Sequence, residues 1–234
     1  MSHVSKPRNA EILDFGDNSP VMCDFGKHDH KDFGFLVDAP EIRALVNETR
    51  RLTSEIADTA ARVDGLRPAF AKLLASNNWL PKEYGEPDLT SGMGGGIGQY
   101  ALYRAEDGSL CLFSLVIPSG SQTPIHDHLA WGLIGVYRGV QDETVYRRTD
   151  DGSDETKANL EIARQQTVKP GEFYTLLPPL DDIHYVKTVS ATPSISIHLL
   201  ANDTACVTRH RFDAASGVVT PFRSGYSNAK CLNS

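Results

Sequence analysis

Between residues 97 and 222 the chain breaks into short apolar or alternating runs, and this stretch limits the fold more than any other feature. "IGQYALYRA", "LCLFSLVI", "WGLIGVYRG", "ETVYRRT", "EFYTLL", "HYVKTVS", "SISIHLLA" and "GVVTPFR" follow in quick succession. Turn signals such as "EDGS", "PSGSQTP", "TDDGSDE" and "KPGE" divide them. Many short strands separated by Gly, Pro and Asp turns predict an antiparallel sandwich or barrel.

Upstream the period changes. In "PEIRALVNETRRLTSEIADTAARV", Ile42, Leu45, Val46, Thr49, Leu52, Ile56, Ala60 and Val63 share one helical face, with charges opposite. A shorter helix is expected in "LRPAFAKLLASNNWL", with Leu66, Phe70, Leu73 and Leu74 on its stripe and Pro81 closing it. Residues 1–38 are polar and aperiodic and read as an extended arm. "GMGGGIG" lacks both the Lys-Ser or Lys-Thr and the following helix of a phosphate loop, so it reads as a connection. The expected organisation is an arm (1–38), a helical piece (39–82) and a β-barrel (97–228).

Composition excludes some partners. A net charge of −7 disfavours non-specific binding to nucleic acid or to anionic membranes. No apolar run is long enough to span a bilayer. The first residues, "MSHVSKPRNAEILDFGD", show no secretory h-region, so a cytoplasmic location is expected. The four cysteines, Cys23, Cys111, Cys206 and Cys231, match neither a zinc spacing nor a disulfide framework. The sequence carries no signal of oligomeric state.

The triplet His-Asp-His occurs twice. His28 and His30 lie in the polar arm between Lys27 and Lys31, where nothing would hold two rings rigidly, and read as a solvated cluster. His126 and His128 stand at the entrance of the strand "HLAWGLIGVYRG". Residues two apart on a strand share a face, so both imidazoles would aim inward and Asp127 outward. Imidazole is the commonest metal ligand.

The surroundings sharpen the reading. Gly120 precedes and Gly139 follows the pair, in a pattern that resembles the first sequence motif of the cupin superfamily. "KPGEFYTLLPPLDDIHYV", which contains His184, resembles the second. Many cupins have a glutamate after His-x-His with three or four residues between; here Gly132 and Leu133 stand there. Three neutral imidazoles leave a divalent ion its full charge, which suits two anionic partners.

"TPIHDHLAWGLIGVYRG", His184, "SISIHLLA" and "FRSGYSN" together resemble the bacterial thiol dioxygenases of the cysteine dioxygenase type I family, nearest to the 3-mercaptopropionate branch. The resemblance implies a mainly β, jelly-roll-like cupin barrel carrying an N-terminal helical segment. It also implies a mononuclear non-haem Fe(II), held by His126, His128 and His184, and oxidation of a small thiol by O2 to a sulfinic acid. Ser196 and His198 match the family's Ser-x-His pair, Arg209 its substrate-carboxylate arginine, and Gln99 a glutamine of the mercaptopropionate branch. Leu200 departs from the family's Ser-x-His-x-Tyr, and no cysteine stands near Gly132 to form a thioether with such a tyrosine. Two other readings of the residues remain: a three-histidine cupin dioxygenase that cleaves a carbon–carbon bond, and a cupin that binds a small ligand without catalysis.

Overall fold

The computed structural model describes residues 32–91 and 93–231. Most of the expected arm, including Cys23, His28 and His30, lies outside them. Near its end, β1 (Gly34–Phe35) pairs antiparallel with β2 (Gly98–Arg104).

The helical piece forms two helices, but they divide elsewhere than expected. Helix α1 spans Pro40–Glu55 and buries Ile42, Leu45, Val46, Thr49 and Leu52. It stops before Ile56. Asp58 then caps a new helix, α2 (Thr59–Ala75), its side chain accepting from the Ala61 N–H at 2.8 Å. An N-cap aspartate satisfies an orphan donor and starts a helix there, whatever the apolar period suggests. Val63 is therefore buried from α2, and Ala60 is exposed. A 3-10 turn, Lys82–Gly85, leads on.

The remaining chain is β. Its strands are β3 (Cys111–Ile117), β4 (Ile125–His126), β5 (Gly132–Arg138), β6 (Gln141–Arg148), β7 (Leu160–Val168), β8 (Phe173–Leu176), β9 (Ile183–Thr188), β10 (Ser194–Leu200), β11 (Arg209–Phe212) and β12 (Val219–Phe222). Two antiparallel sheets result, one in the order β1-β2-β3-β10-β5-β8 and the other β12-β11-β4-β9-β6-β7. They face each other as a jelly-roll-like barrel, the mainly β fold expected for a cupin.

Alternation explains the middle of the first sheet. Every residue of β3 and β10 is buried. Ile195, Ile197, Leu199, Leu112 and Val116 pack with the helices on the outer face. Cys111, Phe113, Leu115, Ile117 and Leu200 line the barrel interior. A strand covered on both faces reads as a continuous apolar run, as "LCLFSLVI" does. Gly135 on β5 permits the close fit of α2: a Cβ there would come within 2.5 Å of Leu74 and 2.9 Å of Phe70. Fully burying one such Leu or Phe side chain stabilises by about 1.5–3 kcal/mol.

After β12 the tail turns back along β2. Ser227 N donates to Gln99 O at 2.7 Å, and the Asn228 side chain bonds both backbone groups of Ala101. Arg104 donates to Lys230 O and, through Nε and Nη2, to Asp203. This path brings Cys231 to Cys206, and the two form a disulfide that their spacing in the sequence does not announce. The hydrogen bonds of the tail to β2 bring them together. Cys111 is free and buried, and burial pushes its thiol up to about 12. Among the described residues no helix is long and apolar enough to cross a membrane.

Candidate metal centre

The sequence places His126 and His128 on one strand; the structure does not. His126 ends β4, where it pairs with His184 of β9. His128 lies in the turn that carries the chain across to β5. Two carboxylates build that turn. Asp182 accepts from the backbone N–H groups of His128 (2.8 Å) and Leu129 (3.1 Å), and Leu129 takes the left-handed conformation, φ 55°. Asp127 is buried rather than turned to solvent. Its carboxylate accepts from the backbone N–H of His210 at 2.8 Å and holds the His210 Nδ1 at 2.6 Å. Burial pushes both carboxyls above their ordinary value, against these hydrogen bonds.

The rings of His126, His128 and His184 nevertheless converge. Their centroids lie 4.8–4.9 Å apart, and their candidate ligand atoms all lie within 4.8 Å of one another. Each Nδ1 faces an acceptor: Pro124 O for His126 (2.9 Å), Asp182 O for His128 (3.3 Å) and Glu143 Oε1 for His184 (2.9 Å). A proton on Nδ1 leaves the Nε2 lone pair free for a metal. The Nε2 of His184 is buried and has no hydrogen-bond partner. Burial first, then the neighbouring imidazoles and the Arg209 guanidinium, hold His126 and His128 well below the ordinary imidazole value, so both rings are neutral at pH 7. Three converging imidazoles, each with its Nδ1 against an acceptor, fit one divalent transition-metal ion.

Ser196 and His198 share the inner face of β10. Gln141 Nε2 donates to Ser194 Oγ (2.9 Å) and to Ser196 Oγ (3.4 Å). Ser196 Oγ in turn lies 3.0 Å from His198 Nε2. The hydroxyl thus links the Gln141 amide to the imidazole. The His198 Nδ1 is buried and unpartnered. Phe113 stacks on the ring at 4.5 Å.

Arg209 begins β11 and is 3% exposed. Its Nε donates to Thr204 O (2.7 Å), Nη1 to Asp127 O (2.6 Å) and Nη2 to Ser224 Oγ (2.9 Å). The Phe222 ring lies 4.6 Å beneath the guanidinium. Among the described residues it forms no salt bridge with a carboxylate. Burial lowers its pKa to about 10, which leaves it charged at pH 7. Gln99 is buried on β2 and donates to the same Ser224 Oγ at 3.3 Å. The tail thus joins Gln99 and Arg209 through one hydroxyl.

Sequence reading missed Glu143, Gln141, Asp182 and Ser224. Gln141 and Glu143 share the parity of the buried Val145 on β6, which marks polar groups aimed inward. Ser224 gives no such sign.

No protein-family model matches the chain. Solved structures overlap it in part. Peruvianin-I, a cysteine peptidase from Thevetia peruviana latex, is 17% identical, with 41% of this chain and 52% of that one covered and a TM-score of 0.31. The Cnp3 cupin domain of Schizosaccharomyces pombe is 16% identical over 45% of this chain and 61% of that one, TM-score 0.34. An RmlC-like cupin from Methanocaldococcus jannaschii is 13% identical over 46% and 82%, TM-score 0.34. The chain spans about half of the first of these and three fifths of the second, and the overlap is confined to less than half of its own length.

Proposed function

We propose that this protein is an Fe(II)-dependent dioxygenase that oxidises a small thiol bearing a carboxylate to its sulfinic acid. The observation that carries the reading is the pairing, among the described residues, of a three-imidazole cluster with no carboxylate among its ligand atoms and a buried guanidinium that forms no salt bridge with a carboxylate. His126, His128 and His184 would hold the iron. Bound Fe(II) supplies the positive charge that favours thiolate over thiol and the electron exchange between sulfur and O2. The reaction balances as thiol plus O2 giving sulfinic acid: sulfur loses four electrons, O2 gains four, and both oxygen atoms end on sulfur.

The residues divide the remaining work. A guanidinium has five N–H donors, and three of those on Arg209 serve Thr204, Asp127 and Ser224. Two remain for the far carboxylate of a substrate, which would fix the distance from that end to the sulfur. Gln99 offers a neutral amide beside it. His198 presents its unpartnered Nδ1, and Ser196 and Gln141 maintain the orientation of the ring. The apolar walls of Phe113, Leu115 and Leu200 exclude water from this side. Leu200 stands where the resembled family has tyrosine, which leaves an apolar surface in place of a hydroxyl. The expected partners are a small-molecule thiol and O2, with neither nucleic acid nor membrane involved. The expected cytoplasmic setting would require the Cys206–Cys231 disulfide to persist among reducing thiols, which is uncommon.

Oxygen uptake by the iron-loaded protein across a panel of thiols tests the reading. Uptake with a thiol carboxylate and sulfinate as product is expected. Uptake only with a diketone would transfer the site to carbon–carbon cleavage. Metal uptake without oxygen consumption on any substrate would make it a ligand-binding barrel.

A further inference from the structure

The three imidazoles are not held alike. His126 faces a neutral backbone group, Pro124 O, and His128 lies 3.3 Å from both the backbone oxygen and a carboxylate oxygen of Asp182. His184 has the shorter carboxylate contact, 2.9 Å to Glu143 Oε1. The register explains the contact. Val145 of β6 lies opposite His184 of β9, and Glu143, two residues earlier, reaches it along the diagonal of the same face.

Glu143 is 1% exposed. Its second oxygen, Oε2, accepts from Gln166 Nε2 on β7. Each carboxyl oxygen of Glu143 thus has a side-chain partner. These partners are an amide and an imidazole, and the Tyr174 hydroxyl also acts on the group. The nearest guanidinium, Arg164, is 3.9 Å away on a part-exposed side chain that also meets Asp181 at 3.5 Å. A buried carboxylate needs a counter-charge. A divalent ion on the far nitrogen of His184 would provide it.

Resting on the proposed metal centre, we infer that Glu143 is a positioning residue of that centre. It fixes the orientation of the His184 ring, aims Nε2 at the ion, and places a carboxyl group behind a site whose own ligand atoms are all imidazole nitrogens. The carboxylate that many cupins place among the ligands is here one residue removed from the metal, acting through His184. Such partners typically change metal affinity about 10- to 100-fold.

Co(II), whose visible absorption reports ligand geometry, is the probe. The metal-free full chain and its Glu143→Gln, Glu143→Ala and Glu143→Asp variants are titrated with Co(II), and the melting temperature of each metal-free form is measured alongside. Glu143→Gln keeps the shape and loses the charge. It is expected to bind Co(II) about 10- to 100-fold more weakly, with shifted absorption bands and a melting temperature near that of the unaltered protein. Glu143→Ala should bind more weakly still, and Glu143→Asp should recover part of the affinity. Co(II) affinity within twofold of the unaltered protein in both Gln and Ala variants, with unchanged bands, would overturn the inference and leave the metal centre standing. Failure of the unaltered protein to bind Co(II) would remove the metal centre and this role of Glu143 together.

Discussion

Replacing Arg209 by alanine separates its two duties. One is structural: Nε and Nη1 satisfy the carbonyls of Thr204 and Asp127, and Nη2 holds Ser224. Orphaning a buried acceptor costs about 1–3 kcal/mol, so the variant loses several kcal/mol of stability on this account alone. The other duty is the two remaining N–H groups, which are offered to a substrate carboxylate. Truncating one partner of a buried charge pair costs about 2–5 kcal/mol. Taking about 2–4 kcal/mol for a site partly open to a small ligand, kcat/KM for a thiol carboxylate falls roughly 30- to 1,000-fold. An uncharged thiol of similar length never used those donors and should lose far less. The ratio of the two kcat/KM values cancels loss of folded protein, which affects both substrates equally. The assay is initial-rate oxygen consumption by iron-loaded protein at a temperature where the variant is folded by circular dichroism. Equal losses on the charged and uncharged thiols would show that Arg209 only supports the turn around Asp127, and the carboxylate anchor would be discarded.

Three further outcomes are expected. His126→Ala or His128→Ala should abolish iron retention, measured by metal analysis after purification, whereas changing His28 and His30 together should leave iron content unaltered; full iron in His126→Ala would mean that the other triplet holds the metal. Reducing the Cys206–Cys231 disulfide, whose partners are 25 residues apart, should cost about 3.5 kcal/mol by loop closure, or roughly 7–14 °C in melting temperature; identical melts with and without a reductant, when thiol titration shows the bond broken, would mean that the hydrogen bonds to β2 secure the tail alone. In the metal-free protein, His126, His128 and His198 have folded-state values held below the unfolded value, so the unfolded chain takes up protons first as pH falls through about 6.5, and stability drops by up to about 1.4 kcal/mol per pH unit for each. Asp127 and Asp182 are raised and act in the opposite sense, returning stability as pH falls through their folded values; a thermal melt flat from pH 7 to 5.5 would contradict the buried, neutral state of the histidines.

What the sequence made legible follows from burial. Helix α1 and strands β3, β5 and β10 have apolar periods because one or both faces are covered. Strand β7 escaped notice because nearly all of "LEIARQQTV" is exposed or half-buried at the edge of the second sheet. The break at Ile56 escaped because Asp58 acts locally through one hydrogen bond, which an eight-residue apolar stripe conceals. In the site, His126, His128 and His184 stood out because a motif surrounds them. Glu143 lies 41 residues from the ring it holds, and Ser224 lies 125 from Gln99. Only sheet register and the path of the tail bring these together, and neither is written in local spacing.

The contact between β5 and β10 bears on which neighbouring sequences this protein can reach by mutation. By the resemblance drawn from the sequence, a thioether like that of the animal-type cysteine dioxygenases would join a cysteine near Gly132 to a tyrosine at position 200. A Cβ at Gly132 would lie 2.1 Å from the carbonyl oxygen of Leu199 and 2.7 Å from the Leu200 side chain. The first obstacle is backbone, which no rotamer change relieves. A cysteine at this position therefore has to be preceded by a displacement of two strands paired from Gly132 to Arg138, each of which is buried along almost its whole length. Single substitutions do not lead there. Descendants of this sequence are left to adjust the chemistry of the cavity through residues that already have room to vary, while the ladder between the two strands stays as it is.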